Sequence, residues 1–431
     1  MAAGLCIEAV RKLNRRQREP NPHFPGITAK EEATMNCNRW LGVSRQTLSC
    51  AATLAIMFMI AASANAQRGD SDFSSRRALS SAYRISNRQP VPKIATANSS
   101  TAKYEVVPIG VLPGKTATIL DEPGKPLNNF GHVVGWSYTQ DARRPYQSAQ
   151  PFIWKDGKLT PLPLLDGFTS ADASGINDRD QVVGTATKID SGGIRINRAV
   201  LWDHGKAMDL GLLEPNSRSQ AYSLNFWGTI VGYSHNLSDG SNTAIVWYGG
   251  LIHALPFLPG QAGSVAFAIN DFGVIAGIQY PADHSSENPC LWYWNGTGYA
   301  ALSLRNLGTG YGWATAINNL GQAVGYDGVD PDSPEAIFWD WKGAHPLPLF
   351  PGDSYGDAIG INDSMQVVGF SENRVLIWDN GTVNDLQSMV PPDTPQFMDV
   401  QSINRLGQIT VGTGSEDDGS LRGYVLLPKG K

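Results

Sequence analysis

The chain has 431 residues, only 17% of them charged, with 46 Gly, 27 Pro and a formal net charge of −5. Gly and Pro at that level among alternating apolar runs argue against a helical bundle and suit many short strands joined by tight turns. An acidic balance without a basic domain argues against nucleic acid or an anionic membrane as a partner.

Residues 1–34 are polar and carry a basic run at 11–18. From Met35 the sequence reads as an export signal. Arg39 and Arg45 precede an apolar run at 51–62, and Ala64, Asn65 and Ala66 form a small-x-small cleavage site. The apolar run is too short to span a membrane stably. A leader over 1–66 (signal proper 35–66), cleavage after Ala66 and a secreted or periplasmic product without a membrane span are therefore expected. The leader holds 8 Lys+Arg and 4 Asp+Glu, so the product keeps 26 against 35, a net −9. Cys6, Cys37 and Cys50 leave with it. Cys290 remains alone, unable to form an internal disulfide, and its Pro289–Leu291 surroundings suit a small core residue. Residues 67–103, rich in Ser, Arg and Asn, read as a disordered linker.

From 104 to 431 the chain repeats itself. The stretch 358–371, AIGINDSMQVVGFS, returns in diverged form about every 46 residues, with its Asn at Asn128, Asn177, Asn225, Asn270, Asn318, Asn362 and Asn404. In the first six copies the Asn lies seven residues before a closing Gly, and the seventh copy, ending at Gly412, carries one extra residue. A period of 42 to 49 residues is that of propeller blades. Each period supplies four strands. In the sixth, residues 357–361 are followed by an Asn362-Asp363 turn, a second strand at 366–370, a third at 374–378 and, after Asn380-Gly381, a fourth at 383–386.

The first strand carries small residues four and two positions before the Asn (Ala358 and Gly360 in the sixth copy). Simple alternation puts those on one sheet face and Ile176, Ile269, Ile317, Ile361 and Ile403 on the other. The third strand ends in Trp154, Trp202, Trp247, Trp292, Trp339 and Trp378, the pattern of a packing device between neighbouring sheets. The last copy lacks a fourth strand, and residues 104–112 before the first copy have that strand's character. The expected fold is all-β, a seven-bladed β-propeller of four-stranded antiparallel blades closed by pairing of the N- and C-terminal strands, which leaves no open edge and favours a monomer.

The I-N-D-x-x-Q-V-V-G runs at 176–184 and 361–369, the apolar triplet before Trp202 and the Asp-Leu-Gly-Leu-Leu at 209–213 resemble the HAF family of extracellular repeat proteins. ProPheIle, AlaValLeu, AlaIleVal and ProCysLeu stand where that family has His-Ala-Phe. The resemblance, over about 103–430, implies export and a repeat domain, and no catalytic residues.

Nucleophile-elbow, phosphate-loop and zincin motifs are absent from the sequence, and the histidines fall at unrelated repeat positions. Acidic runs at 327–333 and 416–419 read as turns. Connections between the first and second and the third and fourth strands are short and uniform, whereas the second-to-third loops at the other end (138–146, 188–195, 280–287, 326–332) all differ. Variable loops on one rim mark that end as the functional one.

Five residues before the repeat Asn, where the innermost strand starts at that rim, stand Asp172, Gln220, Val265, Trp313, Asp357 and Asp399. Asp172, Asp357 and Asp399 fall on one side of the ring, where a cation such as Ca²⁺ or a cationic ligand group would relieve their repulsion. Trp313 and Tyr311 form an aromatic wall opposite. The expected function is that of an exported, non-catalytic binding or adhesion module for a glycan, peptide or protein. The alternative is a polysaccharide hydrolase or lyase on a propeller scaffold. No cofactor is expected beyond Ca²⁺.

Overall fold

The computed structural model describes residues 102–430, apart from 121–122, 140–147, 305–306, 308–309, 329–333, 373 and 415–420. The expected leader, cleavage site and linker, parts of the 138–146 and 326–332 loops and the 416–419 run lie outside the described residues.

Seven four-stranded antiparallel sheets form the blades of a closed ring. Blade 1 is β2 (Ala117–Ile119), β3 (Val133–Tyr138), β4 (Gln150–Lys155) and β5 (Lys158–Pro161), from axis to perimeter. Blade 2 follows with β6 (Ser170–Ile176), β7 (Val182–Ile189), β8 (Arg195–Asp203) and β9 (Lys206–Asp209). Blade 3 has β10 (Ser217–Leu224), β11 (Ile230–Asn236), β12 (Asn242–Tyr248) and β13 (Leu251–Ala254). Blade 4 has β14 (Gly263–Ile269), β15 (Ile275–Tyr280), β16 (Asn288–Trp294) and β17 (Tyr299–Ser303). Blade 5 has β18 (Tyr311–Ile317), β19 (Ala323–Gly328), β20 (Pro334–Asp340) and β21 (Gly343–Pro346). Blade 6 has β22 (Gly356–Ile361), β23 (Val367–Ser371), β24 (Arg374–Asp379) and β25 (Thr382–Asp385). Blade 7 joins β26 (Phe397–Ile403), β27 (Ile409–Thr413) and β28 (Arg422–Pro428) to β1 (Tyr104–Pro108), which pairs with β28 from Tyr104↔Pro428 to Pro108↔Tyr424. The two ends of the propeller thus share one blade, as the sequence pattern requires.

No blade buries its apolar face alone. Seven apolar clusters lie one at each blade–blade junction: Val134, Ile153 and Leu162 of blade 1 meet Ala173, Ile176 and Trp202 of blade 2, and the pattern recurs around the ring. The third-strand tryptophans are packing residues, as expected. Several also donate their indole N–H to a carbonyl of the preceding blade: Trp202 to Pro163 (2.7 Å), Trp247 to Leu210 (2.9 Å), Trp292 to Pro256 (2.8 Å) and Trp378 to Pro348 (2.7 Å). Trp154, at the junction of blades 7 and 1, is buried in the same way but its indole N–H has no acceptor. Cys290 lies fully enclosed in the cluster between blades 3 and 4, and burial pushes its thiol pKa well up, so the residue is inert packing.

The first strands depart from simple alternation. Each of β6, β10, β14, β18 and β22 has a β-bulge between the positions four and two before the Asn (Ala173/Gly175 in β6), leaving one extra residue between them. The bulge shifts the period, so Ala173 and Ile176 enter the same cluster, as do Ala266 with Ile269 and Ala358 with Ile361. The expected split of small and large residues onto opposite faces is therefore corrected. The small residues two before the Asn, such as Ser223, Ala316 and Gly360, line the axial well together with the bulge residues Thr315, Ile359 and Gln401.

The bulge also explains the closing Gly. A Cβ on Gly184, Gly232, Gly325 or Gly369 would lie 1.8–2.0 Å from the backbone carbonyl oxygen of the residue five before the Asn. In blade 7 the extra residue produces a second bulge between Phe397 and Asp399, and Gly412 lies under the Asp399 carboxylate instead.

The uniform turns obey one rule. The residue three after each Asn has positive φ, and it is Gly131, Gly228, Gly273, Gly321 and Gly407 in five blades but Asp180 (58°) and Met365 (61°) in the others. A side chain there costs about 1 kcal/mol. Met365 is 55% exposed and packs little, so Met365→Gly is expected to raise stability by up to about 1 kcal/mol. Chemical denaturation checks this, and a destabilised variant would refute it.

Candidate functional site

Two faces meet solvent at the ends of the axis, and the sequence points to the variable-loop face. There Asp172 on β6, Asp357 on β22 and Asp399 on β26 stand in equivalent places of blades 2, 6 and 7. Asp357 is 4% exposed, buried more deeply than the half-buried Asp172 and Asp399. Asp399 Oδ1 accepts from Gln401 Nε2 at 2.6 Å. Among the described residues no three His, Cys, Asp or Glu side chains form a group able to hold a metal ion, so the structure does not gather these three carboxylates into one.

Trp313 and Tyr311, both half-buried, lie on β18 of blade 5. Trp313 stacks on Phe267 of blade 4 (centroids 5.0 Å apart) and donates its indole N–H to Glu287 Oε2 at 2.5 Å. Burial, and then the Glu287 charge, raise the pKa of Tyr311. The aromatic wall is longer than the sequence suggests: Tyr222 of blade 3 lies 6.1 Å from Phe267 and 5.8 Å from Tyr233, and Trp313 lies 5.8 Å from Tyr326. These rings run from blade 3 to blade 5 around Phe267, which is itself buried.

The positions level with the aspartates contain no base, yet Arg195 of β8 and Arg218 of β10 act electrostatically on the Tyr233 hydroxyl, as Asp172 does from blade 2. Sequence comparison of equivalent positions misses them. Arg218 stands two residues before Gln220, and Arg195 sits on a third strand.

The opposite face is built by the repeat Asn. In each blade its Oδ1 accepts from the backbone N–H groups two and four residues on, as Asn318 does from Leu320 (3.1 Å) and Gln322 (3.0 Å). Its Nδ2 donates to the carbonyl of the next blade's Asn: Asn128 to Asn177 (3.1 Å), Asn177 to Asn225 (3.0 Å), Asn225 to Asn270 (3.2 Å), Asn270 to Asn318 (3.0 Å), Asn318 to Asn362 (3.1 Å) and Asn362 to Asn404 (3.0 Å). Asn404 closes the circle on Asn128 at 2.9 Å. Each of those carbonyls also accepts the N–H three residues on, so the ring offers no spare oxygen to a cation.

Outside it a second set of links runs from the backbone N–H after one Asn to the side chain after the next: Asn129 to Asp178, Phe226 to Asp271, Asp271 to Asn319, Asn319 to Asp363 and Arg405 to Asn129, all 2.8–3.1 Å. Phe226 and Arg405, whose side chains cannot accept, interrupt it. The two layers surround an axial well open to solvent. Around its lip Phe130 (63% exposed), Trp227 (64%), Phe272 and Leu406 stand in solvent. The turns are uniform in backbone but not in side chain, and the residue two after each Asn was the available signal.

These features define the chain as a closed seven-bladed β-propeller. No protein-family profile matches it, and no curated protein matches its sequence. Among solved structures it is similar to TolB from Acinetobacter baumannii (TM-score 0.39, 11% identity, 70% of this chain and 65% of that one). It is also similar to the gluconolactonase XC5397 from Xanthomonas campestris (TM-score 0.37, 8% identity, 84% and 99%). A third similarity is to the propeller domain of the Trilobed protease from Pyrococcus furiosus (TM-score 0.44, 10% identity, 73% and 96%). At these identities the likeness concerns the fold alone.

Proposed function

We propose that the chain is an exported, non-catalytic binding module of the HAF type, taking a glycan, peptide or protein ligand at the variable-loop mouth of the propeller. One observation carries this reading. Five residues before each Asn, the scaffold uses the backbone carbonyl over the closing Gly in most blades, so the blade itself does not dictate the side chain. That position nevertheless carries Asp172, Asp357 and Asp399 on one side and Trp313, with Tyr311 beside it, on the other. Aromatic faces opposite charged groups are the usual furniture of sugar and peptide sites. The apolar run at 51–62 and the repeat resemblance support export.

An oligosaccharide panel, with Ca²⁺ alone as a separate arm, is expected to raise the melting temperature of the native domain for at least one ligand. The triple variant Asp172→Asn, Asp357→Asn, Asp399→Asn should lose that response while melting normally without ligand. An unchanged response in the variant would remove these carboxylates from the site. Turnover of any sugar by the purified domain would favour the hydrolase or lyase reading instead.

A further inference from the structure

Blade 3 carries positive charge at the mouth that the fold does not use. On β10, Ser217, Ser219 and Ala221 face blade 2: Ser219 Oγ accepts the Ala199 N–H at 3.0 Å, and Ala221 lies in the cluster between the blades. Arg218 and Gln220, alternating with them, face the other way. The antiparallel register places His235 opposite Arg218 and Tyr233 opposite Gln220, so these four side chains share one sheet face. His235 is already committed, its Nδ1 lying 2.8 Å from Asn242 Oδ1, while Asn242 Nδ2 donates to the Tyr280 hydroxyl at 2.8 Å.

Arg218 is not committed. Its Nε is enclosed without an acceptor, and the guanidinium makes no ion pair among the described residues. Arg195, exposed on β8, donates its Nε to Asn197 Oδ1 (3.1 Å), and Asn197 is 4% exposed and also bonded to Thr187. That side chain is therefore steered but not neutralised. Burial raises the Tyr233 pKa, and a hydrogen bond with Tyr222 and then the charges of Arg195 and Arg218 oppose the shift. A half-buried guanidinium with an unsatisfied enclosed N–H is costly unless something accepts from it.

We infer that Arg218 forms an oxyanion subsite at the mouth and receives the carboxylate of an acidic sugar, whose ring lies along Tyr222 and Tyr233. The subsite rests on the reading of the mouth as the binding face and adds the ligand class. A carboxylate matches the planar donor fork of Arg in a way that a neutral hydroxyl does not.

Isothermal titration of the propeller with tetragalacturonate and with neutral galactotetraose tests it, with inorganic sulfate as competitor. The acidic sugar is expected to bind roughly tenfold more tightly than the neutral one. Arg218→Gln should erase that preference without lowering the melting temperature of the free protein, and Arg218→Lys should restore only part of it. Equal affinity for the two sugars, or a preference that survives in Arg218→Gln, overturns the subsite and leaves the mouth standing. Binding of neither sugar overturns both. Competition by sulfate at the concentrations that matter for galacturonate would broaden the recognised group from carboxylate to any oxyanion. If Arg218→Gln and Arg218→Lys both fail to fold, Arg218 has a structural role and the subsite is likewise overturned.

Discussion

Asn318→Ala is expected to destabilise the propeller by about 2–4 kcal/mol, far more than the neighbouring Asn319→Ala. The Asn318 side chain is almost completely buried and makes four hydrogen bonds at once: acceptance from Leu320 and Gln322 N–H, and donation to the Asn362 carbonyl (3.1 Å) and to Gln322 Oε1 (2.8 Å). Alanine leaves two backbone donors without an acceptor and the Asn362 carbonyl with the Met365 N–H alone, and the enclosed site admits water poorly. Asn319, less buried, joins only the outer, interrupted set of links. Urea denaturation of both variants measures the difference. Equal losses would mean that the Asn acts only as a local turn former.

Deleting residues 104–112 is expected to remove most of the stability of the domain, on the order of 5 kcal/mol or more. The segment supplies the whole of β1 and its five-residue pairing with β28. It also buries Tyr104, Ile109 and Leu112 to 4–5% exposure, each of which contributes about 1.5–3 kcal/mol when fully buried. Burial, followed by the charge of Asp379, lifts the Tyr104 pKa to about 12, in line with a ring packed between blades 6 and 7. The deletion also strips the outer neighbour from β28, and a bare edge of that length invites association between chains. Thermal melting and gel filtration should show a large drop in melting temperature and oligomers. Deletion of 67–100 should show neither. Equal melting temperatures for the two deletions would rule out closure through β1.

The ring of blades, the shared blade and the tryptophan packing were legible because each is written several times over in the sequence, so that weak copies sum to a strong pattern. The bulge was not. It inserts one residue between Ala173 and Gly175 without any marker of its own, since the Gly that betrays it sits on the partner strand at Gly184. The sequence marks the repeat Asn as a turn residue, which is half of its role. The bond from Asn128 Nδ2 to Asn177 depends on how two blades stand to one another, which local propensity does not encode. The site was least legible for a related reason. Asp172, Trp313 and Asp357 were visible by aligning copies, but Arg218 occupies a place that differs from blade to blade, and it shares a face with Tyr233 through the pairing of β10 with β11.

The inner asparagine ring has a consequence for how such a protein grows and shrinks over evolutionary time. Every blade brings one donor and one acceptor, and every bond points the same way round, so the bond from Asn404 to Asn128 is no different in kind from the other six. A ring of that type has no privileged member and no built-in number. Duplicating or losing a whole repeat would leave each amide with a partner, and the tally of blades is left to the wedge angle set by the tryptophans and aliphatic side chains between the sheets. The chain is in that sense a bracelet of interchangeable links, whose circumference is decided by packing and not by the clasp.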